Sequence, residues 1–492
     1  MTPPSTAAGR TGSQAALLAV LMPAVLVTVV ASDMVNLVLP SIGTQFGSSE
    51  AELAWVVTGF LLVFAVGIPV YGRISDRVSL RRLFAFALLT YAAGSLVCAL
   101  APDLLVLVLG RIVTGVGAAA IPVLSVVAVT RLVPADRRGA AFGVISAASG
   151  IGTAAGPAIG GGVGQFFGWP ALFWLMLVAA LVLLPAALRV LPGETPAGAA
   201  RFDLLGGALL GLGAGLLLFG ITQTQTAGLG AAPSWGSLAA AAAALALFGW
   251  RTMHAAHPFV PPALFANRVF RAAVVIVLLA MVVNLGGLVL VPLLVVDVNG
   301  LSPGAGALVM VPAGLAVALV SPLIGRLADR AGVRPLVVAG LAAIGASALF
   351  LSAFAGGASV VPAGVGILGI SVGFILVLAP LITAASGALP PGEVGVGMGI
   401  LQGAQFLGAG AGPALFGALV TARQHGGGAL NPLHTGQEAA AFSDAFLAMA
   451  AVTVLALAVA ARIRPAPPAA APSAGTDEAA RPAPGETAPR TP

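Results

Sequence analysis

Apolar runs of roughly 20 residues, each closed by a short polar break, recur along nearly the whole chain. That is the length a helix needs to cross the hydrocarbon of a bilayer. The runs predict spans near 15–40, 51–71, 83–101, 104–130, 140–163, 171–190, 204–224, 236–252, 272–296, 303–324, 335–356, 360–384, 396–420 and 443–462. The first run is too long for a signal-peptide core and lacks a clear cleavage site, so it is expected to be a retained span. The seventh and eighth are the weakest, the eighth being short and alanine-rich from Leu238 to Trp250. They must cross together or not at all. One crossing alone would move Arg326, Arg330 and Arg334 to the opposite side from the other arginines, and none would leave Leu204–Leu218 in a central loop.

Composition agrees: 59% hydrophobic, 8% charged and a mean hydropathy of +1.07 exclude a soluble domain. The expectation is an all-α polytopic membrane protein with fourteen transmembrane helices. There is no lysine, so all 22 basic residues are arginine, and the net charge of +6 is no argument for nucleic acid. Where the arginines fall matters more, because cytoplasmic loops collect positive charge. With the N-terminus inside, the cytoplasmic segments hold every arginine except Arg423, outside, and Arg111, within a span. Both termini are therefore expected in the cytoplasm, with the chain multi-pass in the cytoplasmic (inner) membrane.

The chain also repeats. Gly72-Arg-Ile-Ser-Asp-Arg-Val-Ser-Leu-Arg-Arg82 follows span 2, and Gly325-Arg-Leu-Ala-Asp-Arg-Ala-Gly-Val-Arg334 follows span 10, 253 positions later. Gly156-Pro157 recurs as Gly412-Pro413 after 256. Two six-helix pseudo-repeat bundles are expected, 15–191 and 271–462, joined by a linker at 192–270 that carries two extra transmembrane helices. Residues 1–14 form a cytoplasmic tail, and 463–492, rich in Pro and Ala, a disordered one. Parallel duplication is a transporter architecture, with the substrate site between the halves near mid-membrane.

Charge inside a membrane is a functional hypothesis by default. Asp33 is the one acid well inside a span, and Arg111 the one base. Asp33 lies seven residues before Pro40, and Arg111 seven after Leu104, which puts both roughly 10 Å from the outer end. They can meet if spans 1 and 4 are neighbours, as a permanent ion pair that fixes packing or as a proton site that is paired and released in turn. Asp76 and Asp329 each precede an arginine at a helix end. An acid there can bond a neighbouring helix N-terminus or a basic side chain and latch the inner face; the alternative is that the arginines only set topology. From Gly150 to Gly162 small residues dominate an apolar span. Gly152, Gly156 and Gly160 share one face for close helix approach, and Pro157 bends the helix. That face is either a packing motif or a pivot between bundles.

Trp55 and Thr58, near the outer end of span 2, and Asn284, Gln402 and Gln405 are polar or amphipathic positions that could line a cavity. Interface anchoring and interhelical bonding are the blander readings. Cys98 stands alone, so no disulfide within the chain and no thiol metal site is expected. His254 and His257 lack carboxylate or thiol company. With no P-loop and no nucleophile or metal set, neither cofactor, metal nor enzymatic activity is expected.

Together these residues resemble the major facilitator superfamily, specifically its 14-span drug:proton antiporter branch. Gly72, Asp76, Arg77, Arg81 and Arg82 are similar to its loop 2–3 signature, with Ser79 where glycine is usual. Gly325, Asp329, Arg330 and Gly332 match the second copy. Arg111 and Gly115 match the span 4 signature, with Thr114 replacing its glutamine. Gly152, Gly156, Pro157, Gly160 and Gly161 match the antiporter signature of span 5, and Asp33, Asn36 and Pro40 the span 1 pattern. Leu301-Ser302-Pro303 is also similar, with Val296 where that branch has glutamine. The resemblance covers about 15–462. It implies alternating access, with protons entering as a small amphipathic compound leaves, and export rather than uptake. Its partners would be the lipid bilayer, protons and that compound, for a chain working as a monomer. A proton-linked uptake carrier and a non-transporting membrane sensor remain the competing classes.

Overall fold

The computed structural model describes residues 7–194, 203–227, 230–256, 258–301, 306, 308–357, 359–423, 428–434 and 439–462. Fourteen helices of 20 or more residues run through them, with no strand among the described residues. They are α1 Ala7–Phe46, α2 Glu50–Ser75, α3 Leu80–Ala99, α4 Leu104–Leu132, α5 Arg138–Phe167, α6 Trp169–Val190, α7 Leu204–Ala227 and α8 Ala232–His254. After a short turn follow α9 Arg268–Asp297, α10 Val311–Ala331, α11 Val333–Phe354, α12 Val361–Gly387, α13 Val394–Arg423 and α14 Ala440–Ala461. Most boundaries lie within a few residues of those the apolar runs predict. The tenth runs continuously from Val311, with Pro312 in its first turn, and Gly306 and Leu308 just before it are helical as well.

Local chemistry sets the ends. Ser49 and Glu52 form a reciprocal capping box at the start of α2. Asp103 accepts from the Val106 N–H at 2.9 Å to start α4, and Asn267 caps α9 through Val269 and Phe270. The two copies of the repeated loop part in backbone conformation at the position of Ser79 and Gly332. Gly332 takes φ +81°, a left-handed conformation open to glycine, and turns α10 into α11 through a single residue. Ser79, its counterpart, stays extended and caps α3 with its side chain, so α2 stops earlier and a four-residue connection follows.

Among the described residues, twelve of the helices are long and apolar enough to cross a membrane. The other two are α5 and α7. Along α5 the packing is chiefly against α1 and α10. In α7 the apolar stretch among the described residues is Leu205–Ile221.

Packing repeats helix for helix. In the first half α1 packs on α5 and α6, α4 on α2 and α3, and α3 on α6. In the second, α9 packs on α13 and α14, α12 on α10 and α11, and α11 on α14. The halves meet chiefly where α5 lies on α10 and α2 lies on α13. The pair α7–α8 sits beside this seam, with α7 against both α2 and α13.

Candidate functional site

One end of the helix bundle gathers the arginine-bearing connections, and there the halves touch closely. Gly72 of α2 faces the backbone of α13: a Cβ on it would lie 2.9 Å from the Gly399 Cα. Gly325 of α10 faces the start of α5 in the same way, 2.8 Å from the Gly139 carbonyl carbon and 3.1 Å from the Ala140 Cα. The two glycines of the repeated motif thus occupy equivalent places on the two edges of the seam. Asp76 extends the first contact. Its carboxylate accepts from the Gly395 N–H at 2.8 Å and the Val396 N–H at 3.0 Å, the first turn of α13, and from the Arg131 guanidinium at 2.7 Å. Arg131 also donates to the Ser75 carbonyl at 2.8 Å. A helix N-terminus offers unpaired N–H groups and the positive end of its dipole, so it holds an anion well. Burial is the largest influence on the Asp76 carboxyl and pushes it up from the ordinary 3.8; the two amides and Arg131 pull it down only in part.

The other loop residues do different work. Arg81 ties α3 to the end of α6, donating to the Leu191 carbonyl at 2.7 Å. Arg77 is half-buried in the same connection as Asp76. Arg82, Arg326 and Arg330 are exposed, and the side chain of Asp329 lies outside the described residues.

Along α5, Gly152 and Gly160 lie against α1 of their own half: a Cβ would come 2.9 Å from Val29 Cβ and 2.7 Å from the Met34 carbonyl oxygen. Gly156 is buried between them. Gly161 and Pro157 lie on the same helix, their side positions outside the described ones. Further along α5 from Gly139 and Ala140, Gly143 and Gly150 also meet α10 of the other half: a Cβ would come 3.0 Å from the Pro322 Cα and 3.1 Å from Val317 Cβ. Sequence spacing singled out the first face and not the second, of which Gly150 opens the dense glycine run while Gly143 stands outside it.

Arg111 is fully buried in α4. Its Nε donates to the Val56 carbonyl of α2 at 3.1 Å, and its guanidinium carbon lies 4.2 Å from the centre of the Phe60 ring. Its two terminal nitrogens meet no hydrogen-bond partner among the described residues. A buried cation left so under-satisfied is costly unless a counter-charge visits it. Asp33 and Asn36 lie on α1, which does pack against α4; their side chains are outside the described ones.

The remaining polar positions divide. Trp55 stacks on Phe219 of α7, with ring centres 5.6 Å apart, away from the middle of the seam. Thr114 is buried, bonds the Gly110 carbonyl at 2.8 Å and abuts Gly94 of α3. Thr58 is half-buried. Asn284 is buried with its carbonyl oxygen unpartnered among the described residues. Gln402 and Gln405 flank Phe406 on α13, whose ring meets Phe64 of α2 across the seam at 4.8 Å.

Two further acids, not weighed in the sequence analysis, prove to be anchors. Asp203, at the start of α7, accepts from Arg251 of α8 at 2.7 Å, from the Gly206 N–H at 3.0 Å and from the Phe259 N–H at 3.3 Å. Desolvation raises its carboxyl, but Arg251 and the two amides together outweigh it and hold it below the ordinary range. Asp444 pairs with Arg423 at 2.6 Å and accepts from the Leu430 N–H at 2.7 Å.

Comparison with known proteins bears on this arrangement. The family model described as Major Facilitator Superfamily matches residues 21–413. The chain is 31% identical over 389 residues to a multidrug resistance protein B homolog of Mycobacterium tuberculosis, covering 77% of this chain and 71% of the relative. It is 27% identical over 356 residues to the lincomycin resistance protein LmrB of Listeria monocytogenes, covering 72% and 76%. The fold is similar to that of the human organic anion transporter MFSD10, with a TM-score of 0.65 at 18% identity over 93% of this chain and all of the other.

Proposed function

The chain belongs to the major facilitator superfamily, and on that premise we propose that it is a proton-coupled antiporter, exporting amphipathic drugs or antibiotics across the cytoplasmic membrane by alternating access. The drug-resistance relatives support the substrate class. Proton coupling rests on one observation above all: Arg111 is wholly buried with two guanidinium nitrogens free of partners among the described residues. In this reading Asp33 of α1 takes up the proton. Deprotonated, it draws on Arg111; protonated, it releases the arginine and lets the halves reorient.

Two six-helix halves, 15–191 and 271–462, move about the seam, with α7 and α8 as an insert in 192–270 and all fourteen helices spanning the membrane. Both termini and the arginine-rich connections face the cytoplasm. Gly72, Asp76 and Arg77 with Gly325, Asp329 and Arg330 latch that face, and the contacts of Gly72, Asp76 and Gly325 correspond to its closed form. Arg81 and Arg82 serve the latch from behind, Arg81 by fixing α3 to α6. Gly152, Gly156, Pro157, Gly160 and Gly161 let α5 ride on α1 as the halves turn. Asn284, Gln402 and Gln405 are the best placed of the cavity candidates.

The test is ethidium efflux from cells with and without a proton uncoupler, followed by transport in inverted vesicles under an imposed pH gradient. The parent is expected to be uncoupler-sensitive, and Asp33→Asn to lose gradient-driven transport. Undiminished transport in Asp33→Asn would move the proton site elsewhere, with Asp297 and Asp444 the next candidates near the outer face. Asp444 is a poor substitute because Arg423 and an amide already hold it.

A further inference from the structure

We infer that Phe60, Phe64 and Phe406 act as positioning residues, an aromatic relay that ties the placement of the Arg111 guanidinium to the contact between the two halves. The inference rests on the proton-coupled reading above. The guanidinium carbon of Arg111 lies 4.2 Å from the centre of the Phe60 ring. Phe60 and Phe64 stand one turn apart on α2, rings 5.6 Å apart and 25° from parallel. Phe64 then meets Phe406 of α13 edge to face, centres 4.8 Å apart at 76°. Phe60 and Phe64 are 1% and 6% exposed, so neither ring can shift without moving its neighbour.

The Nε of Arg111 is committed to the Val56 carbonyl, and the terminal nitrogens find no partner among the described residues. The Phe60 face is therefore the favourable ground on which the charge rests. The titratable groups facing Arg111 from α3 are Tyr91 and Cys98; α2 offers it the Val56 carbonyl and the Phe60 ring.

A charge change shifts a conformational equilibrium only if the charged site makes different contacts in the two states. These contacts of Arg111 all lie within one half of the protein. The Phe64–Phe406 pair is different, because it crosses the seam and exists only while α2 and α13 are closed at that level. Withdrawing the guanidinium from Phe60 frees that ring to tilt, and the tilt passes through Phe64 to the cross-seam contact. The relay thus carries the protonation step into the closure of the halves.

The test uses the full chain in lipid nanodiscs, with Cys98 replaced by alanine and spin labels at Gln165 of α5 and Val311 of α10, on the two halves at the end away from the arginines. Distances are read from about pH 5 to about pH 8, a range that brackets a perturbed carboxylate. The parent is expected to shift its short-to-long distance ratio with pH. Phe406→Leu and Phe64→Leu should reduce that shift about fivefold, while Phe406→Tyr, which keeps the ring, restores it. A ring that only filled space would cost thermal stability in the leucine variants and leave the pH response intact, and that result would overturn the relay. Should either leucine variant aggregate, the methionine variant at the same position serves instead. A parent with no pH response would bring down the proton reading, and the relay with it; a responsive parent with unaltered leucine variants would sink the relay alone.

Discussion

Asp76 concentrates the arginine-rich end of the seam on one carboxylate. Removing a buried, charge-assisted set of this kind costs roughly 3 kcal/mol, so Asp76→Ala is expected to open the seam. A cysteine at the exposed Gly392 would react faster in that background while membrane expression holds. The pH dependence has a definite sign. Burial raises the Asp76 carboxyl above 3.8 in the closed seam, and exposure in an open seam would return it toward that value. The closed form therefore holds the proton more tightly. Acid, from neutrality down through the raised value toward 3.8, favours closure, and that preference is lost as pH rises through the raised value. Asp76→Asn should abolish this pH dependence of labelling. Sequence could name the kind of partner Asp76 takes, a helix N-terminus or a basic side chain, because helix-end chemistry is local. It could not name the helix, since the bond closes over 319 positions. The neighbours of Trp55 and Thr114, Phe219 and Gly94, were hidden for the same reason: polarity in an apolar run is visible, but the neighbour it faces is not. Arg423, the arginine that breaks the charge pattern, is explained only once Asp444 is beside it.

At the scale of elements, α5 has two glycine faces with different duties. Gly160→Leu would push α5 off α1 inside one half, an overpacking of about 1–3 kcal/mol or more. It should lower expression and thermal stability together with transport. Gly143→Leu would instead hold α5 away from α10 of the other half. The expected result is a well-expressed protein without ethidium efflux, and equal behaviour of the two variants would contradict the division. The hairpin α7–α8 has its own anchor. Asp203→Ala leaves Arg251 and two amides without their acceptor. It should lower the melting temperature in detergent by several degrees, given an order of 1–3 kcal/mol for a lost, partly exposed pair. Because the Asp203 carboxyl is depressed, that stabilisation is present above the ordinary 3.8 and fades as pH falls through its lower folded value. Apolar runs made the helices themselves legible, to within a few residues at most ends. The glycine corner at Gly332 was not, because it depends on backbone conformation rather than hydropathy.

For the whole molecule, topology is the quantity to measure. Single cysteines at Gly230 and Gly428, each with open space around the added side chain, should react with an impermeant reagent from outside, and one at Gly392 should not. External labelling at Gly392 would invert the proposed orientation. Repetition made the doubled architecture readable, since two motif pairs share nearly one offset. How the inserted pair seats itself had no repeat to betray it. That seat has a consequence. On one edge of the seam, α7 straps α2 to α13 in addition to α4, which touches both, and Asp76 finds Arg131; on the other, α12 touches both α5 and α10, but among the described residues no inserted helix adds to it, and Gly387 stands where the repeat would place an arginine. The two halves are then not free to rock evenly. They should swing like a door hung on the strapped edge, parting first and widest along α5 and α10, so cargo drawn from the inner leaflet would enter by that side. Paired labels at Arg137 and Arg326 should separate further on opening than a pair at Arg82 and Gly392, and equal separations would restore symmetric rocking.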